Sequence, residues 1–295
     1  RLTMAKIKRL FNDPYDIVEE MVEGYVGAHK QYVKMCDLDE AQGRVVLAND
    51  AGTKDKVGVI IGGGSGHEPL FIGYVGEDFA DAAVIGNINT SPSPDPCYAA
   101  AKACDNGKGC IYLYGNYAGD VMNFDMGAEK ADEEDDIRVE TVLVTDDVVS
   151  SENIPDRRGI AGDFFVFKVA GAKAATGADL DEVVAAAQKA NDNTRSMGVA
   201  MSSATLPAKG GTIFDMEDGD MEIGMGIHGE PGIRRGKIDT ADNVIDEIME
   251  PILKDLPYVE GDEVYVLVNS LGATPLIDLH VCYRRVAQIL EEKGI

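Results

Sequence analysis

Hydrophobic and polar positions change period along the chain, and the changes predict strands alternating with helices. Asn12 or Asp13 is placed to cap a first helix, with Pro14 near its first turn and Ile17, Val18, Met21, Val22 and Tyr25 on one face. Short apolar, β-branched runs predict strands at Arg44 to Leu47, Val57 to Ile61, Ala82 to Ile85, Gly109 to Tyr114 and Val139 to Val144. The alanine-rich stretch Tyr98 to Cys104 reads as a helix between two of them, and such alternation argues for a largely parallel sheet. A polar loop, Asp146 to Asp163, leads to a helical pair from Phe164 to Asn191, in which Asp179 and Glu182 have capping-box spacing.

Near Arg195 to Gly198 the pattern shifts to a short apolar strand, Val199 to Thr205. Asp218-Gly219, the dipeptide of a type I′ turn, then predicts a hairpin joining Gly211–Met216 to Met221–Ile227. Thr240 is placed to cap a helix carrying Val244, Ile245, Ile248 and Met249, and Val264 to Val268 reads as a strand. Pro275 opens a last helix with Leu279, Cys282, Val286 and Ile289 inward. The expected fold is two α/β domains, 1–196 and 197–295, with largely parallel or mixed sheets flanked by helices.

Composition narrows the class. A length of 295 residues suits two domains at ~150 residues each, and 33 glycines with few aromatics suit a loop-rich α/β enzyme better than a coiled coil. A net charge of -25 argues against nucleic acid or an anionic membrane as partner. Cys36, Cys97, Cys104, Cys110 and Cys282 lack paired spacing and read as reduced core thiols. No apolar run approaches ~20 residues, and the basic start Arg1 to Arg9 leads into a capped helix rather than a signal sequence, so a cytoplasmic protein is expected. Arg1-Leu2-Thr3 before Met4 reads as a vector-derived scar and is set aside. Lys130 to Asp136, with five consecutive acids from Asp132, reads as a solvated turn because adjacent carboxylates diverge and repel. Asp215, Glu217, Asp218 and Asp220 lack calcium-loop spacing, and no metal site is expected.

Chemistry concentrates after the Val57–Ile61 run, in Gly62-Gly63-Gly64-Ser65-Gly66-His67-Glu68-Pro69, which reads as a loop opening at a strand's carboxyl end. A phosphate loop would need lysine where His67 stands, and a dinucleotide fingerprint would need glycine there. Both fail on spacing, which leaves a plain glycine-rich turn or a loop approached closely by a ligand. Of four histidines, His29 and His280 lie in helical segments and read as structural or surface. His228, in Gly226-Ile227-His228-Gly229-Glu230-Pro231-Gly232, joins His67 as a histidine near a Glu-Pro in a glycine-rich loop, so both loops can face one cleft. Gly115-Asn116-Tyr117-Ala118-Gly119-Asp120 ends a third apolar run, with Asp120 near a helix start, where capping is its simplest role.

These stretches, with Asn116 to Phe124, Arg157-Arg158-Gly159-Ile160-Ala161-Gly162 and Asn269-Ser270-Leu271-Gly272-Ala273-Thr274-Pro275, resemble the substrate-binding subunit of dihydroxyacetone kinase. The resemblance covers most of the chain. It implies that His228 attacks a ketone carbon and holds the substrate as a hemiaminal, that Asp120 takes the proton of the terminal hydroxyl, and that His67 assists. It further implies that Gly64, Ser65 and Gly66 contact a small polyol beside Gly115. The chemistry is reasonable: an imidazole of pKa ~6.5 is mostly neutral at pH 7, and glycerol, lacking a carbonyl, escapes capture.

The sequence shows neither a nucleotide-binding loop nor kinase motifs. The resemblance therefore implies a partner subunit carrying ATP or ADP with Mg, or a phosphotransferase relay, and a homodimer. The family commonly has lysine where this chain has Gly115, and loss of the cation is expected to leave room for a tetrulose such as erythrulose. The family also continues past the helix from Pro275, so domain 197–295 is expected to lack its tail. A ketose-sensing regulator without kinase activity is the alternative.

Overall fold

The computed structural model describes residues 9–295, so the basic start and the Arg1-Leu2-Thr3 leader lie outside the described residues. The first part of the chain runs α1 (Ile17–His29), β1 (Val33–Met35), β2 (Val45–Ala48), β3 (Gly58–Ser65), β4 (Ala82–Ile88), α2 (Pro94–Cys104), β5 (Cys110–Gly115), α3 (Ala118–Asp135), β6 (Val139–Val144), α4 (Asp163–Ala175) and α5 (Leu180–Asp192). Its six strands form one sheet in the order β1-β2-β4-β3-β5-β6. β4, β3, β5 and β6 are parallel, while β1 and β2 complete the edge antiparallel. Every residue of β3 and β5 is buried, as expected for strands covered on both faces.

Successive side chains of a strand point to opposite faces. A Cβ on Gly62 would meet Phe124 of α3, and one on Gly63 would meet Phe71, whose ring packs at 6.1 Å from Phe167 of α4. Helices α2 and α3 therefore cover one face and α4 and α5 the other. The sheet order turns back on itself at β3, with β4 on one side and β5 on the other, and ligands of open α/β sheets bind outside the carboxyl ends at such a reversal.

The second part comprises β7 (Val199–Ala200), β8 (Thr205–Leu206), β9 (Gly211–Thr212), β10 (Asp220–Ile223), β11 (Arg234–Lys237), α6 (Ala241–Asp255) and α7 (Leu276–Glu292). β11, β10 and β7 form a three-stranded sheet, and β8 pairs with β9. Ile245 and Met249 of α6 pack with Val286 and Ile289 of α7 in a small separate core. Thr240 caps α6 by accepting from Asn243 N, and the Asp179–Glu182 capping box is formed at α5.

Several expected elements differ. The first helix starts at Ile17, because the Asp13 carboxylate accepts from Tyr15 N and holds residues 13–16 in a turn. β3 continues through Gly62, Gly63 and Gly64 instead of opening into a loop at Ile61. Lys130 to Asp136 is no turn: α3 runs to Asp135, burying Ala131 and dispersing the acids around its exposed faces. Lys130 there pairs with Asp95 at 2.9 Å, and Asp136 ends the helix in the left-handed region at φ 55.

The Asp218-Gly219 hairpin is replaced by other pairings, β9 with β8 and β10 with β11. Charge decides it, since β10 places Asp220 opposite Lys237 and Glu222 opposite Arg235, and each pair is ionic. Val199 to Thr205 is split into the ends of two sheets. Val264 to Val268 has no ladder partner among the described residues, and Tyr265 is 82% exposed; an apolar run becomes a strand only where another backbone pairs with it.

Asp255, at the end of α6, joins the two parts of the chain. Arg157 donates to both its oxygens, at 2.8 and 2.7 Å, and Arg195 Nε donates as well. Asp255→Ala leaves two arginines, each with a side chain only 4% exposed, without their counter-ion. The expected loss is near the low end of the ~3–5 kcal/mol typical of broken buried pairs, because Asp255 itself is partly solvated. Urea titration of the two proteins measures it.

Candidate active site

β3 and β5 are adjacent parallel strands, and the segments leaving their carboxyl ends carry His67 and Asp120. His228 arrives from the loop between β10 and β11, 161 residues beyond His67, and the two Nε2 atoms lie 3.0 Å apart. The rings meet edge to face, with centroids 4.8 Å apart. Tyr117 meets the His228 ring edge to face at 4.7 Å, and its hydroxyl donates to Gly159 O at 2.9 Å. The expected meeting of the two histidine loops is therefore present. His29 stacks on Tyr25 within α1, and His280 is exposed on α7.

Asp120 is the third residue of α3 and does not cap it. Its carboxyl is buried, Oδ1 has no hydrogen-bond partner, and burial raises its pKa against smaller opposing pulls from the Ser91 hydroxyl and His228. A carboxylate left poorly solvated beside a histidine pair is a stronger base than one in water. Asp163, fully buried at the start of α4, is raised much further, by burial and then by Asp146 and Asp120.

Gly64, Ser65 and Gly66 form the end of β3 and its exit. A Cβ on Gly64 would stand 2.7 Å from Thr90 N, so the glycines serve close packing as well as any ligand. The Ser65 hydroxyl donates to Gly86 O at 2.7 Å, and Gly66 N donates to the Glu68 carboxylate, so both groups already have partners within the chain. Gly115 ends β5 without leaving space: a Cβ there would stand 3.0 Å from Gly159 O and 3.1 Å from the Tyr117 ring. The room expected from the missing lysine is filled by Gly159 backbone and Tyr117. No group of three or more His, Cys, Asp or Glu side chains suited to a metal occurs among the described residues.

Residues 23–295 match the family model of the Dak1 domain. The chain belongs to the Dak1 domain family. It is 60% identical over 289 residues to the PTS-dependent dihydroxyacetone kinase 2, dihydroxyacetone-binding subunit DhaK, of Listeria innocua, across 98% of this chain and 86% of that protein. It is 42% identical over 288 residues to the D-erythrulose kinase of Mycolicibacterium smegmatis, across 97% of this chain and 48% of that one. The native crystal structure of the dihydroxyacetone kinase of C. freundii superposes with a TM-score of 0.86 at 33% identity, covering 97% of this chain and 52% of that chain. The dihydroxyacetone kinase operon co-activator Dha-DhaQ superposes with a TM-score of 0.84 at 28% identity, covering 94% and 84%. This Dak1 chain thus spans about half the length of the erythrulose and C. freundii kinases, and the α/β fold expected from its sequence is the fold they share.

Three residues of the site went unassigned by sequence reasoning, although each stands inside a motif that carried the resemblance: Tyr117, Arg158 and Glu230. Their residue types alone gave no reason to separate them from their neighbours.

Burial, followed by the neighbouring His228, pulls His67 down from the ordinary imidazole value to about 4, with Glu230 opposing weakly. Protonating His67 is thus costlier folded than unfolded. Its effect on stability is nil above pH ~6.5 and grows as a penalty as pH falls from there toward 4. The urea midpoint should drop less over that interval in His67→Asn than in the unaltered protein; parallel curves would contradict the shift.

Proposed function

We propose that this Dak1 chain is the ketose-binding subunit of a short-chain ketose kinase. The observation that carries the proposal is the contact of His67 with His228 outside the reversal point of the parallel sheet, with the buried Asp120 carboxyl near enough to His228 to feel its charge. The printed activities of its relatives, dihydroxyacetone and erythrulose kinases, agree with it.

In this proposal the His228 Nε2 lone pair adds to the ketone carbon. The C=O π pair moves to oxygen, which takes a proton, and the ring, made cationic by the new bond, releases its single N–H proton from Nδ1, giving a neutral hemiaminal. A carbonyl is required, so polyols without one are excluded by chemistry rather than by shape. Asp120, its pKa raised by burial, accepts the proton of the terminal hydroxyl as that oxygen attacks phosphorus. His67 hydrogen-bonds the anchored substrate, with Gly64, Ser65, Gly66 and Gly115 forming the adjoining wall.

The phosphoryl donor belongs to a partner subunit, either as ATP with Mg, which would offset charge on the transferring phosphoryl group, or as a phosphotransferase relay. The chain is further proposed to work as a cytoplasmic homodimer, divided at residues 196 and 197 into a domain bearing the glycine-rich strand and one bearing His228. Among the described residues, no helix is long and apolar enough to cross a membrane.

A ketose sensor is the second reading, favoured by the likeness to the operon co-activator. Asp120 weighs against it, since a sensor needs no base. Reconstitution with a nucleotide-binding subunit separates the two: phosphorylated product from dihydroxyacetone or erythrulose supports the kinase, and none from either supports the sensor.

With carbonyl-13C dihydroxyacetone, the ketone resonance should move to hemiaminal position in the unaltered protein and stay unmoved in His228→Ala. Asp120→Asn should retain the adduct while phosphorylation slows roughly 10²- to 10⁴-fold. An adduct surviving in His228→Ala, or full turnover in Asp120→Asn, would remove those assignments.

A further inference from the structure

Glu230 lies two residues beyond His228, and both its oxygens face that histidine. Oε2 accepts from the His228 backbone N–H at 2.9 Å, and Oε1 lies 3.2 Å from the ring Nδ1. Behind the carboxylate stands a cation, with Arg158 Nη1 4.0 Å from Oε2. Arg158 is fixed in turn by Asp147, whose Oδ2 accepts from Nε at 3.0 Å and lies 2.8 Å from Nη2; Gly224 O accepts from Nη2 at 3.3 Å. Asp147 is 1% exposed, so this support is anchored in the interior rather than on the surface.

The stack is tightly fitted. A Cβ on Gly226 would stand 2.4 Å from Glu230 Oε2 and 2.5 Å from Arg158 Nη1, so carboxylate and guanidinium pack against bare backbone. Its members come from two places: Asp147 and Arg158 from the connection between β6 and α4, and Gly226 and Glu230 from the loop between β10 and β11.

A neutral imidazole has one donor and one acceptor nitrogen, and a carboxylate can only accept. Burial alone would raise the Glu230 pKa, but the hydrogen bond from the His228 ring, then the backbone N–H of Glu230 and further pulls from His228, outweigh it and hold the group at about 2, so it is ionised at neutral pH. The nitrogen beside it, Nδ1, must then carry the hydrogen. Nε2 is left with its lone pair, and His67 Nε2, 3.0 Å away, must be the donor in that contact.

We infer that Glu230, backed by Arg158 and Asp147, is the positioning residue that holds His228 as its Nδ1–H tautomer, which leaves on Nε2 the lone pair that accepts from His67 here and that a ketone carbon would take up. The tautomer follows from the geometry; its consequence for ketose capture rests on the function proposed above. As Nε2 bonds to carbon and the carbonyl oxygen takes a proton, the proton that leaves the ring is the one on Nδ1, and Glu230 faces it.

Imidazole-15N labelling with long-range 1H–15N correlation, at neutral pH without ketose, reads the tautomer directly; the rate of dihydroxyacetone adduct formation is then measured on the same samples. The unaltered protein should show Nδ1–H at His228. Glu230→Met should shift the ring toward Nε2–H and slow capture roughly 10- to 100-fold, the usual worth of a ligand-orienting partner. Glu230→Gln, whose amide oxygen still accepts, should restore the Nδ1–H signature, whereas a loss of packing alone would not separate Gln from Met by tautomer. Gly226→Ala should act in the direction of Glu230→Met by displacing the carboxylate. An Nε2–H tautomer in the unaltered protein overturns the inference without any variant, as does an unchanged tautomer with unchanged capture in Glu230→Met. Absence of any adduct in the unaltered protein would instead refute ketose capture and leave the tautomer result standing.

Discussion

Bare backbone in the middle of the sheet is the constraint from which the site follows. β3 carries no side chain from Gly62 to Gly64, and its neighbours have closed into the space: Val84 O and Phe124 against Gly62, the Phe71 ring against Gly63, and Thr90 N against Gly64. Each would be struck by a methyl group, so the interlock is a matter of contact distances rather than of flexible backbone. The close approach seats α3 on one face and the Phe71–Phe167 pair on the other. It also sets where the strand ends, and therefore where His67 emerges beside the segment that carries Asp120.

Electrostatics divide the buried acids into two kinds. Asp255 and Asp147 are matched with arginines; the Asp255 pairs tie α6 to the first part of the chain, and the Asp147–Arg158 pair closes the loop between β6 and α4 on itself. Asp120 and Asp163 each keep an oxygen without a partner, and burial raises both. An unpaired buried carboxyl is costly to keep, and the same burial makes it a stronger base than a carboxylate in water. Glu230 differs again: its charge is kept by His228, and the histidine's orientation is kept by that charge.

The parallel sheet was legible because strands covered on both faces are continuous apolar runs, and those that form β3, β4 and β5 stand out from polar connections. His67, His228 and Asp120 could be singled out because each stands in a glycine-bearing segment that follows an apolar run; that the first two meet is a fact of the fold. The errors share one cause. Val264 to Val268 looks like a strand by composition, the acid run of α3 looks like a turn, and Asp218-Gly219 looks like a hairpin, yet contacts with remote segments decided each outcome: strand pairing for the first and last, the burial of Ala131 for the helix. Gly115 is the same lesson at atomic scale, for the space vacated by a side chain was taken by Gly159 and Tyr117.

Local sequence by itself determined the alternation of strands and helices and the capped starts of α5 and α6. These depend on spacing along a few residues, which a chain carries before it folds. Tertiary structure decided that β3 would run on through its glycines, that two histidines 161 residues apart would share one contact, and that Arg158 and Asp147 would stand behind Glu230. Those outcomes depend on distances between segments remote in sequence, and such distances exist only once both faces of the sheet are packed.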